Sequence, residues 1–178
     1  MQDNIVTNKN KKEVTQQGSF EFPITVYKTK ISENILGYID WHWHEELQFC
    51  IVTKGNINFN VDGDSIILSE GEGIFINARQ LHQAKNYRES DCSYISVVFN
   101  SDFISSFAGS IINIKYIQPY IDNSRINYCI LKNDIEWKSV ILNNILKIYE
   151  EYNKNEIGFE LQIFILLIEV WNILIKSY

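Results

Sequence analysis

The stretch Trp41-His42-Trp43-His44-Glu45-Glu46-Leu47-Gln48-Phe49-Cys50-Ile51-Val52-Thr53-Lys54-Gly55 holds two of the chain's three histidines within three residues. Read as extended backbone, its side chains alternate between faces, so His42, His44 and Gln48 share one face while Trp41 and Trp43 take the other. The segment that follows has the same period of two: Ile57, Phe59 and Val61 alternate with Asn56, Asn58 and Asn60, as a half-buried strand requires. Turn signals arrive at short intervals, at Lys54-Gly55, Asp62-Gly63 and Gly71-Glu72-Gly73, each able to supply a residue at positive φ where the chain reverses. The region from Phe20 to about Asn100 therefore reads as about eight short strands in a closed or sandwiched antiparallel sheet.

Outward from this region the period changes. Ser101 and Asp102 suit the start of a short helix through Phe107, whereas Ile111 to Ile121 has no decisive pattern. Asn133 and Glu136 are spaced as a capping box, and Trp137, Ile141, Ile145, Ile148 and Tyr152 then recur at helical spacing. Asn153 to Glu156 breaks that helix, and a second runs from about Ile157 to the end. On the second helix only Gln162, Glu169 and Lys176 form a polar stripe. Leu161, Phe164, Ile168, Trp171 and Ile175 cover one side, and Ile163, Leu167, Val170 and Leu174 another. Such a helix needs two partners, so the first set is assigned to a homodimer interface, because a contiguous exposed apolar face is uncommon on a soluble monomer. The expected organisation is a disordered polar arm (1–19), a β-barrel (20–132) and an antiparallel helix pair (133–178), with Trp41 and Trp43 packed beneath the helices.

The 178 residues are 46% hydrophobic and 21% charged, which supports one core and excludes a disordered chain. Sixteen basic against 22 acidic residues leave a net charge of -6, a poor match for a phosphate backbone, so this polypeptide by itself is not expected to grip nucleic acid. Cys50, Cys92 and Cys129 are odd in number and widely spaced. That fits neither a disulfide framework nor a C-x-x-C motif and points to buried thiols in a reducing cytoplasm. The N-terminus has no apolar signal region. Leu161 to Ile175 is short for a membrane span and is interrupted by Gln162, Glu169 and Asn172, so no membrane partner is expected. No G-x-G-x-x-G, Walker, serine-elbow or H-E-x-x-H motif occurs, and Glu45-Glu46 reads as solvated charge at a strand end.

His42, His44 and His82 admit two readings. Three imidazoles suit a divalent first-row metal (Zn, Ni, Mn or Fe), with the neutral carboxamide of Gln48 a poorer fourth ligand than a carboxylate. The reading preferred here makes His42, His44, Gln48 and His82 the polar fingers of a small-molecule pocket with apolar walls, to which Tyr94 and Ser96 would add from a later strand.

Gly37, His42, His44, Gln48 and Gly55 resemble the first motif of the cupin superfamily, a glycine, H-x-H, a glutamate and a second glycine; Gly71, His82 and Asn86 resemble the second motif. The departures are specific. Four residues rather than five separate Gly37 from His42, Gln48 replaces the glutamate, and Asn77 and Arg79 stand where the family has proline and glycine. Within cupins, HWHEELQFCIVTKG is similar to the H-W-H-E-E-L-E-x-x-Y-V-x-x-G run of the N-terminal effector-binding domain of AraC-type transcription regulators, and the likeness extends from about Phe20 to Tyr178. It implies a mainly β fold, an antiparallel cupin (jelly-roll) barrel followed by an antiparallel α-helix pair. It also implies a small-molecule effector in the barrel, dimerisation through the helices, and DNA contact only through a C-terminal helix-turn-helix domain that this sequence lacks. The chain is accordingly expected to be a piece of a longer cytoplasmic regulator and not an enzyme. The alternative that the same resemblance implies is a metal-dependent cupin oxygenase or isomerase using the three histidines.

Overall fold

The computed structural model describes residues 5–88, 91–122 and 126–177. The described residues form nine strands, β1 (Ile24–Lys30), β2 (Tyr38–His42), β3 (Leu47–Lys54), β4 (Asn56–Val61), β5 (Asp64–Ser69), β6 (Gly73–Ile76), β7 (His82–Asn86), β8 (Ser93–Phe99) and β9 (Tyr128–Leu131). Four α-helices follow or interleave them, α1 (Asp102–Ser105), α2 (Gln118–Ile121), α3 (Glu136–Lys154) and α4 (Phe159–Ser177). The strands make two antiparallel sheets, ordered β1-β8-β3-β6-β9 and β2-β7-β4-β5. The molecule is mainly β, a jelly-roll barrel with a C-terminal helical tail.

The alternation read in β4 is the observed burial: Ile57, Phe59 and Val61 point inward and the asparagines are part-exposed. At the β4–β5 turn, Asp62 and Gly63 both have positive φ, and Val61 pairs directly with Asp64, the two-residue hairpin that an Asp-Gly dipeptide favours. β3 differs from β4, because Leu47 through Val52 are buried on both faces. Cys50 and Val52 face the four-stranded sheet and join Ile57, Phe59, Leu68, Ile74 and Tyr94 in the barrel interior. Phe49 and Ile51 face outward and join Phe75, Val97 and Phe99 beneath Ile141, Ile145 and Ile148 of α3 and Ile163, Leu167 and Val170 of α4. A sheet covered on both faces reads as a near-continuous apolar run, which β3 and β8 both show.

Four expectations are corrected. The N-terminal segment is not a disordered arm: among its described residues, Thr7 bridges to Glu13, Lys12 bridges to Trp43, and Glu13 and Gln17 are buried. Its first four residues, like Tyr178 at the far end, lie outside the described residues. Trp43 packs under that segment and not under the helix pair, with its indole donating to the Asn10 carbonyl and Lys12 over its ring. No capping box forms at α3, since the Asn133 carboxamide is drawn to the Gly71 carbonyl on the neighbouring turn and Ile135 is the N-cap. Finally, Trp171 cannot serve a dimer interface. It is 4% exposed, lies edge-on to Phe75 and Tyr120, and donates to the Tyr116 carbonyl, because the stretch around α2 folds over that side of α4. Ile168 and Ile175 are also partly covered, which leaves Leu161 and Phe164, with Ile157 and Ile165, as the exposed apolar face.

Candidate functional site: a three-histidine pocket

The motif that opens the sequence spans a corner of the barrel. β2 belongs to the four-stranded sheet and β3 to the five-stranded one, and the chain turns between them at His44, Glu45 and Glu46. His42 ends β2 and is the cross-strand partner of His82, which starts β7. Direct partners on neighbouring strands have side chains in contact, and the two rings lie 4.1 Å apart between centroids. The corner swings His44 back against both, at 5.8 Å from His42 and 5.1 Å from His82. His44 and Gln48 therefore meet across a turn and not along one continuous strand.

All three imidazoles are buried, at 2–4% exposure. Each Nδ1 sits on a backbone carbonyl: His42 on Asp40 at 2.8 Å, His44 on Glu46 at 3.0 Å and His82 on Gln80 at 2.8 Å. A carbonyl only accepts, so each Nδ1 carries the proton and each Nε2 presents its lone pair. Burial holds the rings neutral. It brings His42 down to about 4, helped by the nearby His44, and it depresses His44 and His82 too, the latter with help from His42 and His44.

One potential ligand atom from each histidine lies within 4.8 Å of the others, and the Nε2 of His82 is buried with no hydrogen-bond partner among the described residues. An orphaned acceptor facing two more imidazoles fits a divalent ion held by His42, His44 and His82. The Gln48 carboxamide is 3.1 Å from His44 Nε2 and 3.1 Å from Cys50 Sγ. With His44 Nε2 as an acceptor, the consistent amide orientation turns its NH2 to His44 and its oxygen to the Cys50 thiol. An ion on Nε2 would favour the opposite turn, carbonyl toward the metal. Burial pushes the Cys50 thiol up to about 12, so it stays a protonated donor.

Of the six residues singled out from sequence, His42, His44, His82 and Gln48 gather at one point. Ser96 is the β8 partner of Cys50, and its buried Oγ also lacks a hydrogen-bond partner among the described residues. Tyr94 belongs to the apolar interior, edge-on to Phe59 at 5.7 Å. Two neighbours escaped the sequence reading. Cys50 carried a usable signal, since it lies two positions beyond Gln48 on the same strand. Glu13 carried none, because a lone glutamate in a polar segment has no period to mark it. Its carboxyl is raised to about 7 by burial, with Glu46 adding to the rise.

Residues 37–98 match the family model described as the cupin domain. Over these residues the barrel is similar to the cupin domain. Over 174 residues, 98% of the chain, it is 34% identical to the HTH-type transcriptional regulator YdeC of Bacillus subtilis (strain 168), of which it spans 59%. Among solved structures it is similar to apo ToxT K231A of Vibrio cholerae, at 13% identity and a TM-score of 0.56 over 91% of this chain and 58% of that one. It also aligns with the AraC-like transcriptional activator CuxR, at 10% identity and a TM-score of 0.48 over 75% of this chain and 43% of the other. No helix among the described residues is long and apolar enough to cross a membrane.

Proposed function

We propose that this cupin-like barrel is the signal-sensing part of an HTH-type transcription regulator, and that the signal is read at His42, His44 and His82. The observation that carries the reading is the convergence of three neutral imidazoles, with Nε2 lone pairs turned inward and that of His82 unpartnered, in a chain 34% identical to a regulator across nearly its whole length. A divalent first-row ion is the occupant that the donor set suits best. When bound, it would supply a fixed positive charge that orients the three rings and Gln48. The corner carrying His44 joins the two sheets, and the five-stranded sheet carries the helices on its outer face. Occupancy thus acts on a packed path from the site to α3 and α4. Control of an attached DNA-binding half requires the signal to bind one arrangement more tightly than another.

Self-association belongs to the same reading, with Leu161, Phe164 and Ile165 of α4 at its centre. The test is metal binding by the untagged chain, followed by inductively coupled plasma analysis and competition against a chromophoric chelator. Stoichiometric zinc, nickel, manganese or iron that is lost in His82→Ala supports the reading. Metal-free protein that ignores added ions refutes the occupant and returns the pocket to an organic effector.

A further inference from the structure

A cavity that none of the three histidines lines adjoins their site through Glu46. It is a cleft of about 600 Å³ between the N-terminal segment, the β2–β3 corner and α1, within the size range of small-molecule sites. Gln17 lies in its wall, and Glu21, Glu46 and Asp102 bring three carboxylates to it, with Phe20 and Phe103 as aromatic wall. Among the described residues, no lysine or arginine lines the cleft, and none forms an ion pair with these three acids. Glu46 also lies 3.7 Å from His44 Nδ1, which faces it from the β2–β3 corner. A concave wall of one charge sign concentrates field lines and draws the opposite charge.

The apolar part of the lining selects among cations. Phe103 is anchored edge-on between Phe22 at 5.4 Å and Phe164 of α4 at 5.6 Å, which fixes its ring as a wall of the cleft, and Phe20 is 93% exposed at the rim. Aromatic rings attract an organic cation through the ring face and pack against its hydrocarbon body. Gln17 is 5% exposed, and its carboxamide is held in place by Glu13 and the Tyr27 hydroxyl. A bare metal ion would find these acids spread around a wide cleft; an ammonium or guanidinium ion carrying an apolar group uses both parts of the lining.

We propose that this cleft is a binding site for an organic cation with an aromatic or alkyl body, one that the three histidines do not line. Phe103 then places the occupant one ring away from α4, so the site borders the helix pair directly.

Calorimetric titration of the chain with 2-phenylethylammonium tests the assignment, with phenylacetate as the anion of like shape and 2-phenylethanol as the neutral one. Saturable binding of the ammonium alone is expected, weakened as salt rises. Asp102→Asn and Glu21→Gln alter exposed side chains, so both variants keep the fold, and each is expected to weaken binding roughly tenfold, as loss of a charged hydrogen-bond partner does. His82→Ala is expected to leave this affinity within about twofold, which separates the cleft from the histidine reading. No saturable binding by about 10 mM, equal binding of phenylacetate, or undiminished affinity in both carboxamide variants overturns the proposal.

Discussion

Lowering the pH in the presence of a chelator is the most direct probe of the buried site, because two sets of groups respond with opposite sign. His42 falls from its ordinary value of 6.5 to about 4 in the fold. A buried neutral histidine favours the fold at pH 7, and that stability is lost as the pH drops below about 6.5, where the unfolded chain binds a proton and the folded chain does not. Between pH 7 and pH 5 the loss is about 2 kcal/mol for one such histidine. His44 and His82 are depressed in the same direction, so three give a ceiling of about 6 kcal/mol. Glu13 works against them. Its carboxyl is raised to about 7, so the fold binds a proton that the unfolded chain releases, returning at most about 2 kcal/mol over the same interval. The chain is therefore expected to be less stable at pH 5 than at pH 7, by at most about 4 kcal/mol once Glu13 is set against the three rings, which would be a large share of an ordinary domain's stability. Urea unfolding followed by circular dichroism at pH 7, 6 and 5 reads this directly. Glu13→Gln is expected to steepen the loss by up to about 2 kcal/mol and His82→Leu to make it shallower. A chain no less stable at pH 5 than at pH 7, or a Glu13→Gln variant with a shallower loss, would refute the assigned protonation states.

On α4, Leu167→Ala empties a fully buried position and is expected to cost about 3 kcal/mol, whereas Ile165→Ala, more than half exposed, is expected to cost under about 0.5; chemical denaturation compares them. Replacing Leu161 and Ile165 together by Asp is expected to give a folded monomer in sedimentation velocity if the exposed face of α4 joins two copies, and a persistent dimer in that variant places the contact elsewhere. Gly73→Ala brings a Cβ to 2.3 Å of the Cys50 carbonyl oxygen across the β3–β6 pair. Backbone cannot yield there cheaply, so a loss of about 2 kcal/mol or more is expected in the same unfolding assay.

The jelly roll was legible because its signals are local. Alternation in Asn56–Val61, the Asp62-Gly63 hairpin and the helical spacing from Trp137 to Tyr152 each depend on residues a few positions apart. β9 was less visible, since Tyr128–Leu131 is four residues long, and it is a strand because β6 offers a free edge. The α3 start shows tertiary context overriding a local rule: Asn133 has the right spacing for a cap, yet a carbonyl from residue 71 competes for its carboxamide and wins. Trp171 fails for the same reason, since helical spacing tells which residues share a stripe and not which stripe the chain itself covers.

For the site, residue type and spacing alone marked His42, His44, Gln48 and His82, because a β-barrel turns parity into direction and turns glycines into corners. The charge of -6 was likewise a property of composition. Only the folded chain decided that each Nδ1 meets a carbonyl, that His82 Nε2 is left without a partner, and that Glu13 is drawn out of an apparently unstructured segment into a buried, proton-binding position. Those features depend on which backbone atoms approach from distant parts of the chain and how much water they displace, and neither quantity is written in any local pattern of residues.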